Sequence, residues 1–454
     1  MLESLSSFVV GSRFEDLSAE ARAELKKRVL DALGCAIGAL DGEPIAALRG
    51  YLAEVGGREA VTLIGGGRTS PDRAALFNGA LVRYLDFNDS YLAKGETCHP
   101  SDNLGAVLAA AEHADASGRD LLTALAVAYQ VQCRLSDEAP VRARGFDHTT
   151  QGSYAAAAGV ARAFGLDQPA TANAIAIAGT AFNALRVTRT GALSNWKGLA
   201  YPNTGFCAVH AALLARHGIT GPPEVFEGNK GFMEAIAGRF ELAWQREDLE
   251  RVRRTILKRF NAEIHSQSAV ETVLALRASG RFEPATVEGV DVEVFDVAYK
   301  IIGGGEEGDK YVVATKEQAD HSLPYIVAVA LLDGEVAPEQ YRPGRIAAPD
   351  VQALLRKVRV ASSEALSRRF PAEMPVRVRV RLADGHTLGG EANDYEGFVT
   401  RPMAWEAVVA KFERLAAGHT SAKQRRDLVA AVHGLDGIRV RELTRLLATI
   451  GRER

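Results

Sequence analysis

The side chains best suited to acid–base chemistry lie in short polar segments between apolar stretches. The densest segment covers residues 83–91 and 96–103 and contains Asp86, Ser90 and His99. A carboxylate, a hydroxyl and an imidazole so close in sequence could hold or transfer a proton on a bound substrate. The segment is therefore the first candidate for a catalytic site.

This segment has two other interpretations. Ser101 or Asp102 could cap a helix that starts near residue 103, and the segment would then be a solvated loop. Asp86, Asp89 and His99 could instead bind a metal ion. Their spacing matches no established ligand pattern, so the sequence predicts no metal site.

A second polar segment, at 144–153, places His148 directly before a helix of small residues. The dipole at a helix N-terminus disfavours a cation, which suits a neutral general base or a proton relay. The alternative is a surface histidine beside a simple helix cap formed by Thr149 or Thr150.

Three further segments carry cations or histidines. Lys197, between a tryptophan and a glycine, could bind a carboxylate or could extend its charge to solvent at a helix end. Residues 258–267 lie at a predicted domain boundary, and clefts between domains favour ligands. Their alternative is an ordinary basic linker. At 320–322, Asp320 or Ser322 could cap the next helix, with a structural role for His321.

Composition and motifs exclude several classes of function. The four cysteines form no C-x-x-C pair, which argues against a structural zinc or an iron–sulfur cluster. The net charge is −3 without a basic run, so nucleic-acid binding is not expected. The sequence contains no phosphate loop, and Gly303-Gly304-Gly305 is followed by acidic residues. A G-x-S-x-G nucleophile turn is also absent.

The sequence also predicts where the chain resides. No apolar run reaches 18 residues without a charge, so no membrane span is expected. Residues 1–14 lack the basic and then apolar pattern of a signal peptide. The scattered cysteines fit a reducing compartment, and we expect a cytoplasmic protein.

The elements that must position these residues change character along the chain. Residues 18–40 form an amphipathic pattern with Ser18 as the predicted cap, and helical patterns continue to residue 217. Alternating valines and charges then predict strands at 290–294 and 376–382, with a partner strand at 386–392. We predict a mainly α protein with an α+β part, divided into 1–255 (helical), 256–402 (α+β lid) and 403–454 (helical).

Taken in order, six of these segments resemble the MmgE/PrpD family. LDFNDS at 85–90 with HPSDN at 99–103 is similar to the D-F-[ND]-D-[ST]…H-P-S-[DG]-N signature of that family. The other similar segments are GFDHTT at 145–150, Lys197, KRFNAEIH at 258–265, ADHSLPYIVAVALLD at 319–333 and PMAW at 402–405.

The resemblance implies a large helical domain built from both chain ends, an inserted α+β lid and a homodimer. It implies an enzyme that uses no metal or cofactor and acts on a small di- or tricarboxylate. The implied catalytic residues are Asp86, His99, His148, Lys197 and Lys258. The implied substrate-binding residues are Ser90, Arg259, Glu263 and His265.

Within the family, the dehydratase branch is the most similar at Asn88, Asp102 and residues 263–265. The predicted reaction is therefore the dehydration of 2-methylcitrate to 2-methylaconitate in propionate metabolism, or its reverse. Citrate and cis-aconitate are a related substrate pair. The alternatives are cis-aconitate decarboxylation, dicarboxylate epimerisation, and a polycarboxylate binder without activity. The chain departs from the family at Asn261, where proline is common, and at 313–316, where a P-x-T-[KR] pattern is usual.

Dehydration needs a base for the C–H next to a carboxylate and an acid for the departing hydroxyl. Cations must stabilise the developing carboxylate charge, for which Lys197 and Lys258 are the candidates. His148 and His99 would share the acid–base work, with Asp86 as an orienting or relaying group. The sequence leaves open which histidine is the base.

Overall fold

The computed structural model describes residues 1–280, 282–305 and 307–451. The chain divides into two compact units. The first combines Met1–Thr188, Gly198–Thr255 and the chain from Ala404 onward, and the second combines Arg189–Lys197 with Ile256–Met403. The first unit is mainly helical and the second is α+β, so the predicted fold class is confirmed. Residues 189–197, which the sequence prediction places in the helical part, cluster with the second unit.

The helices alternate with loops over most of the chain. In chain order the α-helices are α1 Leu2–Gly11, α2 Ala19–Gly38, α3 Glu43–Val55, α4 Pro71–Tyr84, α5 Leu104–His113, α6 Gly118–Glu138, α7 Thr149–Phe164, α8 Gln168–Ala181, α9 Trp196–Arg216, α10 Gln267–Ala278, α11 Asp296–Ile302, α12 Lys316–Ala319, α13 Leu323–Asp333, α14 Pro343–Ile346, α15 Pro349–Leu355, α16 Glu364–Ser367, α17 Trp405–Ala416, α18 Ala422–His433 and α19 Val440–Leu447. No helix among these described residues is long and apolar enough to cross a membrane.

Helix α2 shows why both chain ends build one unit. The Ser18 hydroxyl accepts the Ala21 N–H at 3.0 Å, so the predicted cap is confirmed. The apolar face of α2 is buried, and α17 packs against it. At Gly34, a side-chain carbon would lie only 3.2 Å from the Phe412 Cα, so the two helices approach closely.

Small residues also permit the close packing that places α7. Helices α6 and α5 both pack against α7. A side-chain carbon at Gly159 would lie 2.8 Å from Ala128 and 3.0 Å from Val107. Because α7 is held so closely along its length, its first residue is fixed within the unit.

Two short antiparallel pairs interrupt the helical unit. Strand β1 (Val61–Thr62) pairs with β2 (Arg68–Thr69), and β3 (Tyr91–Ala93) pairs with β4 (Glu96–Cys98). The sequence analysis found no run of strands before residue 250. Strands of two or three residues are too short to show an alternating pattern, which explains why these pairs were not predicted.

The second unit contains a four-stranded sheet. Its strands are β5 (Val287–Val294), β6 (Val358–Ser362), β7 (Val376–Leu382) and β8 (Thr387–Ala392), in the order β6-β5-β7-β8. Only the β5–β6 pair is parallel. The valines of β7 are buried while its arginines are partly exposed, as the alternation predicts. Helices α10 and α13 pack on the sheet, and the predicted strands are confirmed.

Candidate active site

The β3–β4 hairpin brings Ser90 to His99. The two residues flank the paired strands, and Ser90 Oγ lies 3.0 Å from His99 Nδ1. The same Nδ1 lies 2.8 Å from the backbone oxygen of Asp89. A carbonyl oxygen can only accept a hydrogen bond, so Nδ1 carries the proton. In the neutral ring, Nε2 then carries the lone pair.

Asp89 holds this loop in place. Its fully buried carboxylate accepts the Ser101 N–H at 2.9 Å, the Ser101 hydroxyl at 2.7 Å and the Tyr129 hydroxyl at 2.8 Å. Burial raises the pKa of Asp89, and the hydrogen bonds from Ser101 oppose that rise. One carboxylate oxygen therefore holds Ser101 of the loop, and the other binds Tyr129 of α6.

The buried loop explains why the predicted caps of α5 are wrong. The Asn88 amide donates to Ser101 Oγ and to Asp102 Oδ1, both at 2.8 Å. A 3-10 turn over Pro100–Asn103 leads into α5, and Asn103 precedes the helix without a side-chain cap. Ser101 and Asp102 therefore bind other side chains of the loop.

Asp86 is buried at the start of this loop. It forms an ion pair with Arg83, whose Nε lies 3.5 Å from Asp102 Oδ2. Its φ of +53° lies in the left-handed region, which is uncommon outside glycine and asparagine or aspartate. Such conformations are frequent at functional sites, where the surrounding contacts maintain them.

His148 lies directly before α7 and is buried, so the interpretation as a surface residue is wrong. Its ring lies edge-on to the His99 ring, with 5.6 Å between centroids, and 6.1 Å from the Tyr201 ring. The reason is packing. A side-chain carbon at Gly152 would lie 2.5 Å from the Tyr201 ring, so the glycine lets the start of α7 approach α9. His99 and His148 therefore form one cluster in the first unit.

In the second unit, the Asp320 carboxylate contacts several basic side chains. Lys197 Nζ lies 3.0 Å from Asp320 Oδ1 and 3.0 Å from His321 Nδ1. Lys316 Nζ lies 2.6 Å from Asp320 Oδ2. Burial alone would raise the pKa of Asp320, but Lys197, Lys316 and His321 hold it well below its usual range. Lys197 is buried and does not extend to solvent. Ser322 caps α13 by accepting the Tyr325 N–H at 3.1 Å.

Glu263 connects Lys258, the second predicted catalytic lysine, with the Asp320 cluster. Its backbone N–H donates to the Asp320 carbonyl at 3.0 Å, and its Oε1 lies 2.7 Å from His265 Nδ1. Burial opposes ionisation, but His265, His321 and the fully buried Lys258 bring the pKa of Glu263 down to about 2. Lys258 is therefore not part of an exposed basic linker.

Arg259, a predicted substrate-binding residue, lies outside this cluster. Its side chain is 44% exposed and forms an ion pair with Glu396. The guanidinium also lies over the Phe260 ring at 5.7 Å. Lys258 and Arg259 are neighbours in sequence but differ in burial, because the non-helical backbone there directs adjacent side chains differently.

Sequence reasoning did not assign Asp147, Asp320 and Lys310 to these clusters. Asp147 contacts His148, and Asp320 joins Lys197 to Lys316. Both belong to an Asp-His dipeptide, at 147–148 and 320–321, and this signal was present in the sequence. Lys310 is also buried, and burial lowers its pKa while Glu307, Glu263 and Asp320 raise it. No pattern in the sequence indicates that Lys310 is buried.

The low pKa of Glu263 predicts a loss of stability in acid. Folding lowers the pKa of Glu263 from about 4.5 to about 2. Its contribution to the free energy of unfolding is therefore complete above about pH 5 and disappears as the pH falls towards 2. The shift corresponds to about 3 kcal/mol of unfolding free energy. We expect the stability difference between the parent chain and Glu263→Gln, measured by urea unfolding, to shrink steadily from pH 5 to pH 3.

The exposed Glu288 provides a control for this measurement. The stability difference between the parent chain and Glu288→Gln should stay nearly constant over the same pH range. An equally constant difference for Glu263→Gln would show that the Glu263 carboxylate is not held ionised by its neighbours.

Comparison with known proteins identifies the family. Residues 3–245 match the MmgE/PrpD N-terminal domain, and residues 260–436 match the MmgE/PrpD C-terminal domain. The 2-methylcitrate dehydratase of Cupriavidus necator is 30% identical over 453 residues, which cover 92% of this chain and 91% of the relative. The 2-methylcitrate dehydratase of Escherichia coli K12 is 30% identical over 73% of this chain and 71% of its own length. An alkylcitrate dehydratase of a fungal species is 29% identical over 76% and 73% of the two chains.

Both domain matches follow the chain order of the motifs, and the similarity to the first of these relatives covers nearly the whole chain. The resemblance found in the short motifs is therefore confirmed at full length. This chain belongs to the MmgE/PrpD family.

Proposed function

We propose that this chain is a hydro-lyase that dehydrates 2-methylcitrate to 2-methylaconitate, or catalyses the reverse hydration, with citrate and cis-aconitate as a related pair. The observation that carries the proposal is the pair of buried histidine rings, His99 and His148, at 5.6 Å. The similarity to 2-methylcitrate dehydratases, which covers 92% of this chain for one of them, supports the choice of reaction.

The two histidines suit a reaction that moves two protons. One must take the proton from the carbon next to a carboxylate, and the other must protonate the departing hydroxyl. Each ring has a hydrogen-bond acceptor or a carboxylate beside Nδ1, which leaves Nε2 as the atom that exchanges protons with the substrate.

Two buried lysines suit the charge that this reaction creates. Removal of the proton spreads negative charge onto the adjacent carboxylate, and preorganised cations stabilise that charge. We assign this role to Lys197 and Lys258. Ser90, Glu263 and His265 are proposed to bind substrate. For Asp86 an orienting or relaying role, and for Arg259 a substrate contact, stay predictions.

Several other properties stay predictions within the same proposal. They are a reaction without metal or cofactor, assembly as a homodimer, a cytoplasmic location, a role in propionate metabolism, and domain boundaries at 255/256 and 402/403. The contacts within the two clusters of charged and titratable side chains do not depend on any of these properties.

The proposal can be tested by incubating the purified chain with a panel of di- and tricarboxylates and recording mass changes. We expect 2-methylcitrate to lose one water. Release of carbon dioxide from cis-aconitate would instead identify a decarboxylase. Deuterium incorporation from heavy water without a loss of water would identify an epimerase.

A binder without activity is the alternative from another class. It predicts that a tricarboxylate raises the melting temperature by mass action while no member of the panel is turned over. That combination would contradict the proposed hydro-lyase, whereas water loss from 2-methylcitrate would contradict the binder.

A further inference from the structure

We propose that Asp147 is a positioning residue that holds His148 in the tautomer protonated at Nδ1, so that His148 Nε2 is the base of the reaction. The inference rests on the proposed dehydration and goes further, because it assigns the two histidines to different steps. Asp86, which the sequence suggested as the orienting group, is ion-paired with Arg83.

Asp147 is fixed by its own contacts. Its carboxylate is fully buried, and Oδ1 lies 3.2 Å from His148 Nδ1. The same oxygen accepts the Thr149 N–H at 3.2 Å, and the Asp147 N–H donates to the Ala184 carbonyl at 2.9 Å. The Arg186 guanidinium lies 3.8 Å from Oδ2 and stabilises the ionised carboxylate. These contacts place a carboxylate oxygen in front of Nδ1.

The charge of Asp147 determines the tautomer. An ionised carboxylate can only accept a hydrogen bond, so His148 Nδ1 carries the proton and Nε2 carries the lone pair. When Nε2 takes a proton, the new imidazolium charge faces the carboxylate. The N-terminus of α7 would oppose a cation, but the Asp147 carboxylate accepts the Thr149 N–H of that same terminus and offsets its partial charge.

His99 has a different environment. Its Nδ1 faces the backbone carbonyl of Asp89, which is a neutral acceptor. A positive charge on His99 therefore gains less from its Nδ1 partner than a positive charge on His148 gains from Asp147. The stronger proton acceptor of the pair is His148, and His99 in its protonated form is suited to donate from Nε2.

The proton movements balance as follows. His148 Nε2 takes the proton from the carbon next to the carboxylate, and the C–H electron pair becomes the second bond of the new C=C. The C–O bond breaks, and the hydroxyl leaves as water with the proton from His99 Nε2. His148 ends as imidazolium and His99 as neutral imidazole, and proton exchange with solvent restores both.

The test is Asp147→Asn, which keeps the shape of the side chain and removes its charge. We expect kcat for 2-methylcitrate to fall by about 100-fold while KM changes by no more than about threefold. Asp147→Glu should recover part of the loss. The control is Asp120→Asn, because Asp120 is a partly exposed aspartate of the same unit that bonds Ser117. Its kinetics should match the parent chain.

Nitrogen NMR of the resting protein gives a readout that does not depend on turnover. In the parent chain, neutral His148 should show a protonated Nδ1, and in Asp147→Asn the tautomer populations should mix. An unchanged His148 spectrum, or a kcat within about twofold of the parent, would overturn the inference. If the parent chain has no dehydratase activity, the proposed function is wrong. The NMR result then still shows whether Asp147 sets the tautomer of His148.

A deuterium isotope effect tests the assignment of the base. With substrate deuterated at the reacting C–H, the isotope effect on kcat in Asp147→Asn should be at least as large as in the parent chain, because proton abstraction has become harder. A smaller isotope effect would show that Asp147 acts on the C–O step and would overturn the assignment.

Discussion

Replacing His148 with glutamine should lower kcat/KM for the dehydration of 2-methylcitrate by about 1,000-fold or more. Glutamine retains polarity and much of the volume but cannot take up a proton. His148 is buried beside His99 and Asp147, so bulk water is not available to act as the base in its place. Steady-state kinetics, with circular dichroism to confirm folding, measures the effect.

His113 offers a matched control. It is a half-buried histidine of the same unit whose ring packs edge-on against Phe164 at 5.8 Å, away from the His99 cluster. His113→Gln should retain nearly the parent rate. If His148→Gln folds and retains a rate close to that of the parent chain, the assignment of His148 is wrong.

Replacing Asp320 with asparagine should lower the free energy of unfolding by about 3–5 kcal/mol. The fully buried carboxylate compensates the charges of Lys197 and Lys316 and bonds His321. Asparagine keeps the shape but leaves these cations without their shared anion. Urea unfolding followed by circular dichroism measures the loss.

The control for this substitution is Asp296→Asn, also in the second unit. Asp296 pairs with Lys300 at 2.8 Å, but both side chains are about half exposed. Water screens such a pair, so the expected change is less than about 0.5 kcal/mol. A loss at Asp320 no larger than that at Asp296 would mean that the buried carboxylate does not hold the cation cluster together.

Much of the fold follows from patterns that are visible in the sequence. The four-residue repeat of α2 and its Ser18 cap, and the alternation in β7, each depend on local periodicity. Both patterns arise because one face of the element is buried. The packing of α17 on α2 cannot be predicted from local periodicity, because it joins residues far apart in the chain and depends on the fit at Gly34.

The candidate site was less accessible to sequence reasoning. The residues of the polar segments could be named, but their partners could not. Ser101 and Asp102 resemble helix caps because capping needs only local sequence, whereas their contacts with Asn88 depend on the buried loop. The anchoring of Lys197 by Asp320 spans 123 residues and has no local signature.

Burial was the main quantity that the sequence did not provide. Lys258 and Arg259 have the same charge and adjacent positions, yet the first is fully buried and the second is 44% exposed. His148 and Thr149 could equally have lain at a surface. What separates these cases is the surrounding packing, such as the Gly152–Tyr201 approach, and such packing is set by the whole fold.

The most direct test is a rate measurement on the purified chain after treatment with EDTA, with 2-methylcitrate as substrate and the enoate absorbance of 2-methylaconitate as the signal. We predict a steady rise in absorbance that added iron does not increase and that His148→Gln abolishes. No rise with 2-methylcitrate or citrate would contradict the proposed dehydratase. A rise that appears only after iron is added would contradict a mechanism based on the two histidines and the lysines alone.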